Sequence, residues 1–492
     1  MIKKVLAVMW VLTVVVPLAV WGMSGAEVSA EDYGSWGWDF DETTHTLTIL
    51  GYGDMPDYES VLGEPWYKKH DQIESIVITS GITSIADNAF AKCAALKSVT
   101  IPDTVTKIGD YAFLQCKNLK EVVIPDSVTE IGTSSFSQCE GMEKLTLSKN
   151  LTNIPSRAFY WCESLTDVTL PDKLTNISDY AFAYCDSLKG ITIPDNVTNI
   201  GNHAFSTCHS ISYITTGTNL LKIGKQAFYA TFDSTSQSYY NDKFDNEITL
   251  DLSRSKNLKI IGEKAFNISA ITSADIPDSV TTIEQYAFNQ CFNLANVKLP
   301  KNLTEITLYA FADSGIESLE IPETVSLIGD HSFYSCNKLK KVIIPHSVIT
   351  IDKSAFSGSK SLTAVDISGA PTLVGNPFSS GWIDITHVHI PVNMNPSVFA
   401  GQYGLPEDTS CYFQIGADGK CPAAYCPFRD GDRATGDVNG DGKINNTDII
   451  LLGRAYMAGD GAKYLAVADM NNDGRITNTD IILLGRLYMT GK

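Results

Sequence analysis

Apolar positions return along most of this chain at one long, fixed interval. Phe90, Phe113, Phe136, Phe159, Phe182, Phe205 and Phe228 stand twenty-three residues apart. After an expanded unit at about 229–262 the series resumes with Phe266, Phe288, Phe311, Phe333, Phe356 and Phe378, at alternating steps of twenty-two and twenty-three. A period of this length denotes a solenoid of thirteen coils. The unit LKEVVIPDSVTEIGTSSFSQC predicts how a coil closes. Leu119, Val122 and Ile124 read as the inward side of a short strand, with Glu121 and Val123 pointing away. Pro125, like Pro102, Pro171, Pro194, Pro277, Pro300, Pro322 and Pro345, lacks an amide hydrogen and ends the ladder at its rim. Val128 and Ile131 re-enter the core, and Phe136 and Cys139, three apart, fit a single turn of helix or 3₁₀. Parallel strands about 4.8 Å apart would stack the coils over roughly 60 Å.

The recurring frame L-x-x-[VI]-x-[IL]-P-x-x-[VL]-x-x-I-G-x-x-A-F-x-x-C, over residues 73–400, resembles the BspA-type leucine-rich repeat of secreted and surface bacterial proteins. The resemblance implies an α/β leucine-rich-repeat solenoid, mainly parallel β with short helical or 3₁₀ turns. Residues 31–72, with WGWDFDETTHTLTILGYGDMPDY and then PWY, resemble the segment that commonly precedes such arrays. A cap is required there, because the first coil would otherwise expose an apolar cross-section and an open strand edge. Residues 401–435 are expected to form a second cap and linker.

Cys93, Cys116, Cys139, Cys162, Cys185 and Cys208 share one register, which Cys291 and Cys336 rejoin later. Their side chains run parallel along the stack, which favours small buried hydrophobes over disulfides. Cys411, Cys421 and Cys426 stand apart; three cysteines permit one disulfide and one thiol, or none, and a zinc site lacks a fourth ligand at a convincing spacing. The outward strand positions are Thr100, Val123, Thr146, Thr169, Thr192 and Thr215, then Asp275, Lys298, Glu320, Ile343 and Asp366. Threonine suits a half-exposed pleated surface without any ligand, and Tyr213 supplies the one aromatic ring of these columns. The insertion DSTSQSYYNDKFDNE, with Tyr239, Tyr240 and Phe244, reads equally as a binding loop or a solvated one.

The chain ends in two copies of an acidic loop, DVNGDGKINNTDIILLGR from Asp437 and DMNNDGRITNTDIILLGR from Asp469. A twelve-residue calcium loop supplies oxygens from positions 1, 3, 5, 7, 9 and 12, with Gly at 6. The first copy places Asp437, Asn439, Asp441, the Lys443 carbonyl, Asn445 and Asp448 there, with Gly442 at the turn. The second places Asp469, Asn471, Asp473, the Arg475 carbonyl, Thr477 and Asp480, with Gly474. Three carboxylates converge in each loop, so folding and metal binding should be coupled. Position 12 is Asp rather than Glu, and turn-rich CPFRDGDRATG precedes the first loop where an EF-hand has an entering helix. Ile449 and Leu452, like Ile481 and Leu484, predict a helix after each loop. These half EF-hands resemble a type I dockerin over residues 436–492, a small all-α module holding two Ca²⁺ ions. The resemblance implies a cohesin module of a scaffoldin as partner, met by Asn446, Thr447 and Arg454 or, after a half-turn, by Asn478, Thr479 and Arg486. Gly453 and Gly485 stand where the family often has Lys.

The remaining features limit the function. Lys3 and Lys4 precede an apolar run from Val5 to Trp21, and Val28-Ser29-Ala30 resembles a cleavage site, so residues 1–30 are expected to be a signal peptide and the mature chain to have no membrane span. The formal net charge of −19, made one unit more negative by that cleavage, repels nucleic acid and anionic lipid. No H-E-x-x-H or G-x-S-x-G occurs, and His387 and His389 in THVHIP read as same-face strand residues. The expected protein is therefore secreted, cellulosome-associated and non-catalytic, its repeats binding a protein, a cell-surface component or a plant polysaccharide. A dockerin-borne glycoside hydrolase-like enzyme of polysaccharide catabolism and a surface adhesin are the competing expectations.

Overall fold

The computed structural model describes residues 36–58, 63–231, 246–367, 369, 371–379, 385–391, 395–400, 402, 404–406 and 412–415. The expected signal peptide at residues 1–30, residues 232–245 of the expanded unit, Cys411, Cys421, Cys426 and the whole 436–492 tail lie outside them. The architecture is a parallel β-solenoid of about thirteen turns. It divides into two compact units, the first running to Val197 with Thr207–Ser210, the second made of Thr198–Ser206 and Ile211 onward.

Most coils of the first unit contribute two short strands. Ser75–Ile78, Ser98–Thr100, Glu121–Val123 and Lys144–Thr146 pair in parallel, in the register Ser75↔Ser98 and Lys144↔Glu121. On the return path Ile82–Ile85, Lys107–Ile108 and Glu130–Ile131 form a second ladder. The expected alternation holds: Leu119, Val122 and Val128 are wholly buried, whereas Val123 is 52% exposed. The second unit repeats the scheme, with Tyr213–Thr215, Ile248–Asp251, Ile271–Asp275 and Asn296–Lys298 on the main path.

The segment that closes each coil differs from a helical turn. Residues two before and two after each core Phe from Phe90 to Phe356 take left-handed φ, for example Tyr111 at 56° and Gln115 at 62° around Phe113, or Tyr286 at 60° and Gln290 at 56° around Phe288. A helix needs negative φ throughout. What is gained is a third ladder. Tyr111, Phe113 and Gln115 donate their N–H groups to the carbonyls of Thr133, Ser135 and Ser137 at 2.9, 2.7 and 2.8 Å. Ser134, Phe136 and Gln138 then donate to Ser156, Ala158 and Tyr160 at 3.0, 2.9 and 2.6 Å. The Ser135 carbonyl and the Phe136 N–H belong to one peptide group, so each such group accepts from the coil before and donates to the coil after. Three columns of aligned peptide dipoles result, with N–H groups facing the C-terminal side. The intervening peptides close local turns, Leu114 N–H to the Tyr111 carbonyl at 3.0 Å and Cys116 N–H to that of Phe113 at 3.3 Å.

Phenylalanine rings fill the interior behind these columns. In the first unit the centroids of Phe113–Phe136 lie 5.0 Å apart and those of Phe136–Phe159 5.6 Å, both pairs stacked. In the second, Phe228–Phe266 and Phe288–Phe311 lie 5.4 and 5.2 Å apart. At two of the I-G steps the neighbouring coil leaves no room for a side chain, since a Cβ at Gly109 would meet the Asp87 backbone nitrogen at 2.5 Å and one at Gly224 the Gly201 carbonyl carbon at 2.6 Å, whereas Ser178, Glu284, Thr307 and Asp352 occupy the same register in other coils.

The N-terminal edge of the stack is covered by an added pair of strands. Trp36–Asp41 pairs antiparallel with Thr46–Gly51, which pairs in parallel with Ser75–Ile78 and so covers the open edge. Trp66 is wholly buried and stacks on Phe90 at 5.6 Å, with Trp36, Trp38 and Tyr58 packed edgewise around it. Its Nε1 donates to the Ala89 carbonyl at 2.9 Å, and the Tyr58 N–H to that of Asp87 at 3.4 Å. These carbonyls begin two of the dipole columns, so the cap supplies donors where the column presents acceptors.

Two substitutions separate the contributions. Phe136→Ala is expected to cost about 3–5 kcal/mol by opening the ring column. Lys92→Gly, at an exposed position with φ of 63°, is expected to raise stability by about 1 kcal/mol by relieving left-handed strain. Chemical denaturation of the full chain measures both; a Lys92→Gly protein less stable than the parent would contradict the second expectation.

Candidate functional site

The structure brings together four sets of residues that bear on function, and the first is the outward strand face. Thr100, Val123, Thr146, Thr169 and Thr192 are exposed in the first unit. In the second, Asp275, Lys298, Glu320 and Ile343 are exposed, and Thr215 and Asp366 are half-buried. Lys298 Nζ lies 3.0 Å from Asp275, an exposed pair across neighbouring coils of a kind that adds little stability. Tyr213 is 40% exposed on this face, as its position in the strand requires.

The second set is the histidine pair. His387 and His389 occupy alternate positions of the strand His387–Pro391 and so share one face. His389 Nδ1 lies 2.7 Å from Asp366 Oδ2, and the His387 ring stacks on Phe413 at 4.3 Å. Among the described residues no group of three or more His, Cys, Asp or Glu is arranged to hold a metal.

The third set is the thiol column. All eight cysteines among the described residues are buried, and none is in a disulfide. They do more than fill space. Cys116, Cys139, Cys162 and Cys185 Sγ donate to the carbonyls of Phe90, Phe113, Phe136 and Phe159 at 3.2, 3.3, 3.4 and 3.3 Å, each reaching back one coil. Ser359 Oγ makes the same bond to Phe333 at 3.1 Å. The position therefore selects a small donor, which the sequence hinted at only where serine replaces cysteine. Burial pushes the thiols of Cys139, Cys291 and Cys336 up to about 12. As neutral thiols they are neither nucleophiles nor metal ligands.

The fourth set was hidden in the left-handed turns, because residues of neighbouring coils that are far apart in sequence meet there. Trp161 and Tyr184 stack at 5.1 Å and 18°. Tyr160 stands across both, at 5.7 Å and 85° to Trp161 and 5.5 Å and 76° to Tyr184. The Arg157 guanidinium lies 4.8 Å from the centroid of Tyr180, and Trp161 Nε1 donates to Glu163. Desolvation, with the neighbouring Tyr184 next, raises the Tyr160 phenol above its ordinary value. Trp161 is 37% exposed and the tyrosines are half-buried. In the second unit Tyr286, Tyr309 and His331 form a face-to-face stack at 5.0 and 4.5 Å, with Lys264 Nζ over Tyr286 at 5.2 Å and Asp330 against His331.

The calcium-loop residues Asp437, Asn439, Asp441, Lys443, Asn445, Asp448, Asp469, Asn471, Asp473, Arg475, Thr477 and Asp480 lie outside the described residues, as do Asn446, Thr447, Arg454, Asn478, Thr479 and Arg486.

The thiol column yields a pH dependence. With Cys139 at about 12 in the fold against an ordinary value of 9.0, the unfolded chain loses this proton first as pH rises. Stability is fully present below about pH 9 and declines toward pH 12, by up to about 1.4 kcal/mol per pH unit for each such thiol. Cys139→Ser keeps a hydroxyl donor and is expected to flatten that slope by one thiol's share between pH 9 and 10. Denaturant titrations at both pH values measure it, and an unchanged slope would count against the assignment.

Comparison with known proteins places the chain. The family model for the BspA type leucine rich repeat region matches residues 61–189, 152–270 and 259–382, and that for the dockerin type I domain matches residues 435–487. A leucine-rich repeat protein from Bacteroides ovatus aligns at 21% identity and TM-score 0.52, over 78% of this chain and 98% of its own. A leucine rich cell surface protein from Faecalibacterium prausnitzii aligns at 29% identity and TM-score 0.39, over 70% and 94%. No curated protein matches. Among the described residues no helix is long and apolar enough to cross a membrane. With the repeat models spanning most of its length, the chain belongs to the BspA-type leucine-rich repeat proteins and carries a type I dockerin domain at its C-terminal end.

Proposed function

We propose that this is an extracellular, non-catalytic binding protein whose dockerin attaches it to a cohesin module of a scaffoldin in a cellulosome-type complex. The observation that carries the reading is the duplicated loop inside the dockerin match: Asp437, Asn439, Asp441 and Asp448 recur in register as Asp469, Asn471, Asp473 and Asp480. These side chains, with the carbonyls of Lys443 and Arg475 and the oxygens of Asn445 and Thr477, form all-oxygen donor sets of the hard kind that calcium requires. When bound, the ion neutralises three clustered carboxylates per loop and so allows each loop to close. Asn446, Thr447 and Arg454, or their counterparts Asn478, Thr479 and Arg486, then face the partner. The repeats supply the cargo's binding surface.

Capture of the full chain on an immobilised panel of cohesins, in calcium and then in excess chelator, tests the reading. Capture by at least one cohesin is expected, lost on chelation and restored by calcium. Replacing Asn446 and Thr447 alone is expected to change affinity only a few-fold, because the second copy substitutes, whereas replacing all of Asn446, Thr447, Asn478 and Thr479 abolishes capture. Chelator-resistant capture, or none by any cohesin, would overturn it.

A further inference from the structure

We infer that the aromatic corner formed by Tyr160, Trp161 and Tyr184, with Arg157 and Tyr180 beside it, is a binding site for a neutral polysaccharide. The inference rests on the non-catalytic binding reading above and assigns a place and a ligand class to it. Stacked Trp161 and Tyr184 lie 5.1 Å apart, and Tyr160 stands across them at 85° and 76°, so ring surface is presented in two perpendicular directions. A pyranose has the complementary shape, with C–H groups clustered on its faces and hydroxyls around its rim. Its faces suit indole and phenol rings, while its rim meets Glu163, Arg157 and the phenol hydroxyls at the edge of the corner.

Spacing supports the same ligand. The corner is built on consecutive coils, and the advance of one sugar along an extended polysaccharide is close to the ring spacing that the coils impose. A chain running across these two coils therefore meets Trp161 on one and Tyr184 on the next. The charges beside the rings, Arg157 and Glu163, are of opposite sign, and the whole chain stands at −19, which disfavours an anionic polymer.

The other aromatic run shows why clustering alone is insufficient. Tyr286, Tyr309 and His331 cover one another's faces at 4° and 12°, with Lys264 over Tyr286. Tyr334, in the register of Tyr160, is tilted 53° against His331 there, and all four rings of that group are half-buried. In the first unit Trp161 is instead 37% exposed beside the perpendicular ring of Tyr160, which leaves a corner open to a ligand.

Native affinity electrophoresis of the full chain in gels containing xyloglucan, galactomannan or hydroxyethylcellulose, with a polysaccharide-free gel as reference, tests the site. Retardation by at least one of them is expected. Trp161→Ala and Tyr160→Ala should each weaken it by about tenfold or more, whereas Tyr309→Ala and Tyr213→Ala should leave it unchanged. Thermal melts of each variant separate loss of the site from loss of the fold, and Trp161→Phe, which keeps a ring, should recover most of the retardation. No retardation in any gel, or equal retardation of the Trp161→Ala, Tyr160→Ala and parent proteins, overturns the proposal, as does competition by protein ligands alone. Cohesin capture measured on the same samples reports on the attachment reading independently, so either idea can fail without the other.

Discussion

Everything in this fold depends on the short, constant advance from one coil to the next. A parallel strand ladder, a column of hydrogen-bonded peptide groups and a column of stacked rings all work at spacings near 5 Å. Because the three agree, they run side by side without strain between them. The rings of Phe113 and Phe136 at 5.0 Å and the peptide bonds from Phe113 to Ser135 at 2.7 Å are two expressions of one repeat. At Gly109 and Gly224 the backbone of the preceding coil comes within 2.5 and 2.6 Å of where a Cβ would stand. The left-handed residues around each Phe show the cost accepted for it: backbone of higher energy is tolerated in every coil so that three N–H groups face the next one.

A stack with directional columns has chemically different ends. Peptide groups that all donate toward the C-terminal side leave acceptors at the beginning, and the cap answers with the indole N–H of Trp66 and the backbone N–H of Tyr58. Trp66 also ends the ring column on a flat surface packed edgewise by Trp36 and Trp38, so one residue closes both the apolar and the polar repeat. The cysteines belong to the same economy of contacts. From Cys116 onward each is small enough for the closing turn and still carries a hydrogen for the carbonyl of the preceding coil, while burial keeps the thiol neutral.

The repeat also separates structure from recognition. Inward positions are fixed by the columns, so variation is confined to the outward strand positions and to the side chains of the left-handed turns. Threonines dominate the strand face of the first unit, whereas that of the second carries charges such as the pair Lys298 and Asp275 on neighbouring coils. The turns carry the larger aromatic side chains, because a residue of positive φ projects away from the core and has room beside it.

The amino-acid sequence by itself determined the period, the inward and outward alternation of strands such as Glu121–Val123, the role of proline at the rim, the need for a cap and the duplicated acidic loops of the tail. Each of these is a local or periodic property, readable from the spacing of residue types along the chain. Only the tertiary structure decided the conformation of the closing turns, the thiol bond to the preceding Phe carbonyl, and the meeting of Tyr160, Trp161 and Tyr184. The spacing of Phe136 and Cys139 fits a helical turn as well as it fits the observed pair of turns, and the sign of φ at Ser134 and Gln138 is set by bonds to Ser156 and Tyr160 in the next coil. Aromatic residues separated by a whole coil become neighbours only when the stack forms, and how their rings lie against one another depends on orientations that no linear pattern encodes.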